Sequence, residues 1–507
     1  MDLTSFSFSQ KVNCEAKQLQ KKFNIFNQQE LYNMVKKIGL LLGPIFFLFF
    51  VFFPFHGLPP KAEIVLGLAT WMVVWWITEA VSISVTALLP LVIFPLFDIM
   101  NMNEVGANYG SSIVFLFFGG FVLALALEKV NLHKRIALNI IHKTGTTPNR
   151  VILGFMLATA FMSMWISNTA STVVMLPIAL SVIQLLVKSD GIFTKEEQHF
   201  SLSVMLGIAF SANAGGIATV IGTPPNSVLI GLLENEYNIE ISFLKWMSIG
   251  LPFSAVMIAV IYFVLTRWMF PNRGREFASS NALIAQKLND LGPTTPEEKH
   301  VLRIFAVTVF LWIFRSLLNS FFPQLGLSDT IISMGCAVAL FAIPFNFKKG
   351  VFLLEWEDTS KLAWGILILF GGGLALAKGM SLTGIVSLIT DSIAAANLNV
   401  FLTATLLILL MLFMTELMSN VALVAVLAPV VAGIALGLEI PILYLLIPVT
   451  MASSCAFMLP MATPPNAIVF ASGYIKVAQM ARVGIFINLI AVAFLVILFQ
   501  YVIPLIF

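Results

Sequence analysis

The feature that most limits what this chain can fold into is a succession of long apolar runs almost free of charge. They fall at about 39–55, 62–80, 81–98, 111–128, 151–187, 201–233, 243–270, 301–322, 329–346, 362–380, 398–437, 440–474 and 483–507. About 20 apolar residues in helical form span the hydrocarbon core of a bilayer. Only 10% of the 507 residues are charged, against about 25% in soluble domains. The reading is an all-α polytopic membrane protein. A β-barrel is excluded because the runs are continuous and do not alternate polar and apolar residues. Lys and Arg outnumber Asp and Glu by 28 to 25, which leaves no dense basic face for a nucleic-acid partner. The three cysteines and five histidines have no disulfide-framework or metal-ligand spacing. No Ser, His and Asp stand in an order that suggests a catalytic triad, so neither an enzyme nor a cofactor is expected.

Basic residues held in the cytoplasm orient the spans. The tail 1–38 carries Lys11, Lys17, Lys21, Lys22, Lys36 and Lys37 and is expected inside. Segment 99–110 has no Lys or Arg and falls outside, whereas 129–150 carries Lys129, Lys134, Arg135, Lys143 and Arg150 and falls inside. Further along, 234–242 and 381–397 lack Lys and Arg, whereas 271–300 and 347–361 contain them. Two runs, 151–187 and 398–437, are too long for one crossing, and each has a Ser-Asn pair near its middle and no hydrophilic loop there. Each suits either two crossings or a re-entrant hairpin. The hairpin is preferred, because two crossings would leave Asn168 and Asn420 at the far surface without a loop. Eleven transmembrane helices plus two hairpins follow, with the N-terminus cytoplasmic and the C-terminus outside.

The chain also resembles itself. An offset of 252 residues relates Gly119 to Gly371, Ser167 to Ser419 and Pro177 to Pro429, and an offset of 240 relates Thr223-Pro224-Pro225-Asn226 to Thr463-Pro464-Pro465-Asn466. The difference matches the polar insertion KSDGIFTKEEQHF in the first half. By the charge pattern the span at 111–128 runs inward and its counterpart at 362–380 runs outward. Inverted repeats with interrupted helices in corresponding places are a mark of secondary transporters, with substrate bound near the midplane.

The interruptions carry the chemistry. Non-helical backbone at membrane depth is tolerated only where protein or a water-filled cavity satisfies it, and proline both removes a donor and stops a helix. Freed carbonyls, together with Ser, Thr and Asn oxygens, are hard ligands for a small alkali cation. The helix that starts after each break offers N–H groups to a carboxylate. Four such interruptions facing one another would hold cations and an anion without a buried Arg or Lys. The competing reading, helix glue and simple kinks, is weakened by the presence of two motif types in both halves. Glu79, Glu128, Lys378 and Glu416 lie at or near apolar runs; a functional role and simple helix pairing remain open for them.

These motifs resemble the divalent anion/sodium symporter family, the sodium-coupled di- and tricarboxylate transporters. The resemblance is carried by WWITEAVSISVTALLP at 75–90, MWISNTASTVVMLP at 164–177, IGTPPN at 221–226, TELMSNVALVAVLAP at 415–429 and MLPMATPPNAIVFASGYIKVAQM at 458–480. It implies a homodimer in which a scaffold (39–128 and 301–380) carries a transport part (129–270 and 381–507) that moves as an elevator, with 271–300 as a cytoplasmic linker. It further implies one sodium near Ser163, Ser167, Asn168 and Gly222, and a second near Thr415, Met418, Asn420 and Ala462. Substrate carboxylates would meet Ser167, Asn168, Thr169, Thr223 and Pro224, and Ser419, Asn420, Val421, Thr463 and Pro464. Val421 departs from the Ser-Asn-Thr pattern and bears on substrate choice.

The expected function is sodium-coupled symport of C4-dicarboxylates such as succinate, malate and fumarate, with citrate a further candidate, in a plasma (inner) membrane. Sodium is a co-transported ligand. A sodium-independent dicarboxylate exchanger and a sulfate-type carrier of the same fold stay open, and a channel is the rival from another class.

Overall fold

A computed structural model describes residues 33–507 except 54–56, 146, 187–193, 273–277, 347, 349 and 397. Most of the N-terminal tail, much of the polar insertion and part of the linker lie outside the described residues. The described chain is helical, with one isolated bridge pairing Asn346 and Val351. Helices α1 (Asn33–Phe52), α2 (Pro60–Thr78), α3 (Ile83–Thr86), α4 (Leu89–Leu96) and α5 (Met102–Tyr109) lead in. The first half then runs α6 (Ser112–Lys129), α7 (Leu132–Thr144), α8 (Pro148–Ser163), α9 (Asn168–Leu186), α10 (Lys195–Gly216), α11 (Pro224–Tyr237) and α12 (Phe243–Phe263). After α13 (Ala278–Asp290), α14 (Pro296–Phe321) and α15 (Asp329–Ala342), seven more helices follow in matching order. These are α16 (Trp364–Leu382), α17 (Ile385–Ala395), α18 (Val400–Met414), α19 (Asn420–Gly437), α20 (Ile442–Ser453), α21 (Pro464–Ala471) and α22 (Val477–Ile497), with α23 (Ile503–Ile506) closing the chain.

Among the described residues eight helices are long and apolar enough to cross a membrane alone. Seven of these are expected spans, and the eighth, Asn420–Gly437, is a limb of the expected second hairpin. Of the remaining expected spans, 81–98, 201–233 and 440–474 consist of shorter pieces, whereas 329–346 is the single 14-residue helix α15. The run at 201–233 divides into α10 and α11 ahead of Thr223, and 440–474 divides into α20 and α21 ahead of Thr463. The run at 151–187 turns at Ser167 between α8 and α9, which pack on each other.

Two segments assigned to a membrane side by their charge are helices. Within 129–150, α7 buries Leu132, His133, Ala137, Leu138 and Ile141 on one face and turns its basic residues away. That spacing is amphipathic, and α7 lies along α8. Arg135 leaves this arm to donate to Glu298 Oε1 (2.8 Å) and to the carbonyls of Leu291 (3.1 Å) and Gly292 (2.9 Å). The matching arm α17 lies along α19, where Thr390 Oγ1 donates to the Gly433 carbonyl (3.1 Å).

The core centres on α10. Every residue from Phe200 to Gly216 is buried, so the helix is enclosed on all sides beyond its first turn. It packs on α8, α9 and α12, and across the repeat on α21. In the same manner α11 crosses to α19 and α20, while α21 reaches α9. At the outer end as the charge pattern reads it, Arg315 on α14 bonds Glu240 (2.7 Å) and Asp329 (3.3 Å), and Asp329 Oδ2 accepts the Phe243 N–H (2.7 Å). These bonds link α12 to α14 and α15.

The paired glycines that mark the repeat occupy helix crossings. A Cβ placed on Gly119 would overlap Ser333 on α15, and one on Gly371 would overlap the ring of Tyr109 on α5. Overpacking a close crossing costs about 1–3 kcal/mol. Gly371→Val is therefore expected to lower the thermal unfolding midpoint of the detergent-solubilised protein by several degrees. A midpoint equal to wild type would show that the crossing tolerates a side chain.

Candidate binding site at the helix breaks

Each half folds its Ser-Asn or Thr-Asn chemistry into a knot of oxygens. Ser163, the last residue of α8, is fully buried, and its Oγ lies 2.7 Å from the Ala212 carbonyl and 2.5 Å from the Asn168 side chain. The Asn168 amide is satisfied there only with its nitrogen inward. With its nitrogen inward it donates to Ser163 Oγ, to the Ala212 carbonyl (3.2 Å) and to the Gly222 carbonyl (3.3 Å). With its oxygen inward it joins a ring of acceptors. The second half repeats the arrangement: Thr415 Oγ1 lies 2.6 Å from Asn420 Oδ1 and 2.6 Å from the Ser453 carbonyl. A hydroxyl has one proton, so it cannot serve two acceptors at once. In the second half, and in the first with the Asn168 oxygen turned inward, three oxygens converge on one hydrogen, a donor set suited to a small hard cation, which prefers oxygen ligands.

Beside each knot lies a helix break held by an asparagine. In the first, Asn226 Nδ2 donates to the Thr219 carbonyl (2.9 Å) and faces those of Ile217 (3.4 Å) and Gly216 (3.5 Å). In the second, Asn466 Nδ2 donates to the carbonyls of Leu459 (3.0 Å) and Ala456 (3.1 Å). Both asparagines are fully buried. The Thr-Pro-Pro segment ends the irregular backbone: Thr223 and Thr463 are extended N-caps of α11 and α21, and the prolines occupy first-turn positions where no N–H is needed. Thr463 Oγ1 accepts the Asn466 N–H (3.4 Å), whereas Thr223 makes no such bond.

The two breaks differ in a charged residue, Glu416. Glu416 is buried, and its carboxylate accepts the N–H groups of Phe457 (2.8 Å), Met458 (2.9 Å) and Leu459 (3.0 Å) as well as Asn488 Nδ2 (2.7 Å). The three N–H groups are donors that the break in the second half releases, and Asn488 lies on α22. The equivalent first-half position is Met164, whose carbonyl accepts Thr219 Oγ1 (2.6 Å). A resident carboxylate thus stitches one break and a hydroxyl the other.

The expected site residues separate into groups. Ser163, Asn168 and Gly222 meet in the first knot, and Thr415 and Asn420 in the second. Ser167 is exposed and its Oγ accepts the Ala170 N–H (3.1 Å), so it caps α9. Thr169 and Ser419 are half-buried at the turns, and Val421 is half-buried against the apolar core. Thr223 and Thr463 are buried at the breaks, where Pro224 is half-buried and Pro464 exposed. Ala462 is buried next to Thr463, and Met418 packs against the apolar core. Sequence reasoning missed Ala212 and Ser453, whose carbonyls carry no side-chain signature. It also missed the anchoring role of Asn226 and Asn466, although the motif contained them. An apolar cavity of about 490 Å³ lined by Tyr109, Phe118, Phe341, Trp356 and Trp364 contains none of these residues and offers little to orient a carboxylate.

Residues 35–507 match the family described as the sodium:sulfate symporter transmembrane region. The chain belongs to that family. Within it, the chain is 39% identical over 491 residues to a protein of Staphylococcus saprophyticus named sodium-dependent dicarboxylate transporter SdcS, covering 95% of this chain and 94% of that one. The namesake from Staphylococcus aureus is 38% identical over 490 residues, covering 96% and 94%. Two solved transporters share the fold at low identity. MtrF of Neisseria gonorrhoeae has a TM-score of 0.53 at 15% identity, covering 87% of this chain and 95% of its own. The YdaH transporter of Alcanivorax borkumensis scores 0.50 at 13% identity, covering 78% and 87%. Membership of the symporter family and the run of apolar helices make the protein a multi-pass membrane transporter, not an enzyme.

The contacts of Glu416 generate a prediction. Glu416→Ala leaves several buried donors without an acceptor, at about 1–3 kcal/mol each, and is expected to lower the unfolding midpoint markedly, with Glu416→Gln intermediate. Equal midpoints for Glu416→Ala and wild type would mean that the carboxylate does not hold the break.

Proposed function

We propose that the protein is a sodium-coupled symporter of C4-dicarboxylates such as succinate, malate and fumarate, with citrate as a further substrate. The observation that carries this reading is the pair of oxygen knots, Ser163 with Asn168 and Ala212, and Thr415 with Asn420 and Ser453, each beside a break that opens a new helix N-terminus. The names of the staphylococcal relatives support both the cation and the substrate class.

The mechanism follows from electrostatics. Two carboxylates entering a site of low dielectric lose hydration and repel each other, a large cost when uncompensated. Sodium bound first organises the Asn168 and Asn420 turns and supplies positive charge, and the N-termini of α11 and α21 add N–H donors. When more cation than anion charge moves inward, the membrane potential contributes about 2.3 kcal/mol per charge for each 100 mV. In this reading 39–128 and 301–380 form the scaffold, 129–270 and 381–507 move as an elevator, 271–300 links them in the cytoplasm, and the protein works as a homodimer in a plasma membrane. The N-terminus is then cytoplasmic and the C-terminus outside.

Purified protein in liposomes is expected to accumulate labelled succinate under an inward sodium gradient and not when choline replaces sodium. Uptake independent of sodium would favour an exchanger, and competition by sulfate without competition by fumarate would favour a sulfate carrier. Asn168→Ala and Asn420→Ala should each reduce sodium-dependent uptake at least tenfold while the protein stays folded, and wild-type rates in both would relocate the site. Val421→Thr should shift the ratio of citrate to succinate competition more than it shifts the sodium dependence; an unchanged ratio would refute that role for Val421.

A further inference from the structure

Asn213 connects the two halves at a point that the expected site does not use. It lies on α10 directly after Ala212, whose carbonyl faces the first oxygen knot, and it is 1% exposed. Its side chain leaves its own half. Asn213 Nδ2 lies 3.0 Å from Thr463 Oγ1, 3.1 Å from the Ala456 carbonyl and 3.4 Å from Asn466 Oδ1. The sense of this amide is determined by its surroundings. The Ala456 carbonyl can only accept, and so can Asn466 Oδ1, whose own nitrogen donates to Ala456 and Leu459. The nitrogen of Asn213 must therefore face them, and its oxygen has no partner among the described residues.

That orientation decides the state of Thr463. Its Oγ1 accepts from Asn213 Nδ2 and from the Asn466 N–H (3.4 Å). A hydroxyl has two lone pairs and one proton. With both lone pairs engaged, Thr463 retains only its proton, as a donor, at the N-terminus of α21. The first half lacks this device: Thr223 makes no capping bond, and Ser454, which follows Ser453 as Asn213 follows Ala212, has a hydroxyl without a partner among the described residues.

We propose that Asn213 is a positioning residue that presets Thr463 as a hydrogen-bond donor to one substrate carboxylate and couples that donor to the cation knot of the first half. The coupling path is one residue long. A cation drawing on the Ala212 carbonyl shifts the end of α10, and Asn213 transmits the shift to the second-half break. The inference rests on the sodium-coupled reading above and deepens it.

A double-mutant cycle tests it, because residues that act through one another give non-additive effects. In liposomes, Asn213→Ala and Thr463→Val are each expected to raise the KM for succinate about tenfold, with a smaller effect on kcat, and the double variant no more than either alone. A hundredfold rise in the double variant, the product of independent effects, would overturn the proposal. Coupling has its own readout: binding linkage is reciprocal, so raising succinate lowers the half-saturating sodium concentration in wild type, and Asn213→Ala should lose that shift. Retention of the full shift would remove the coupling role. If Asn213→Ala fails to fold by its unfolding midpoint, Asn213→Ser, which keeps a small donor, carries the same cycle and is expected to retain part of the shift. Sodium-independent uptake by wild type would instead sink the sodium-coupled reading itself. An additive cycle on a sodium-dependent background would sink only this inference.

Discussion

Peptide groups that have left a helix cannot remain unpaired in an apolar interior, and two buried asparagine amides meet that demand here. Asn226 and Asn466 donate to the carbonyls of the residues just before each Thr-Pro-Pro segment. Without such donors, each break would carry bare carbonyls at several kcal/mol apiece in surroundings that lack water. With them, the chain can hold irregular backbone at depth and still present Ser163, Asn168, Thr415 and Asn420 to one another in their knots. In the proposed reading, these two amides are the frame on which the binding site is built.

Much of this was legible because polar punctuation stands out in an apolar chain. The Ser-Asn turns and the Thr-Pro-Pro breaks were visible as residue types, and the structure uses them where α9, α11, α19 and α21 begin. What stayed hidden had physical causes. The carbonyls of Ala212 and Ser453 belong to every residue type alike. The arm α7 stayed hidden because its polar and apolar faces alternate, which lowers its mean hydropathy, and α17 because it is apolar but only 11 residues long. Glu416 was conspicuous as a charge in an apolar run, yet its partner Asn488 lies 72 residues away with nothing local to link them. Ser167, a cation ligand by the family resemblance, also has a local role that its motif does not announce: its Oγ caps α9.

The matched halves are not interchangeable. One break is closed by a carboxylate at Glu416 and the other by Thr219 against the Met164 carbonyl. One turn carries Thr169, the other Val421 packed in the apolar core. A carboxylate already seated among the N–H groups of the second break takes up donors that its counterpart has no acid to occupy. A ligand with two like ends would therefore meet two unlike ends of the site, so the near-symmetry of the backbone does not extend to its electrostatics.

The crossing of α11 onto α19 and α20, and of α21 onto α9 and α10, bears on how the chain is made. Ribosomes release the amino-terminal half long before the residues that complete its packing exist. Until α21 emerges, α9 and α10 lack their covering helix, and Asn213 has neither Thr463 nor Ala456 to bond. Over the 250 residues from Asn213 to Thr463, the nascent protein must shelter the Asn213 amide and the uncovered faces of α9 and α10, so a chain cut short ahead of Pro464 is a natural target for membrane proteolysis.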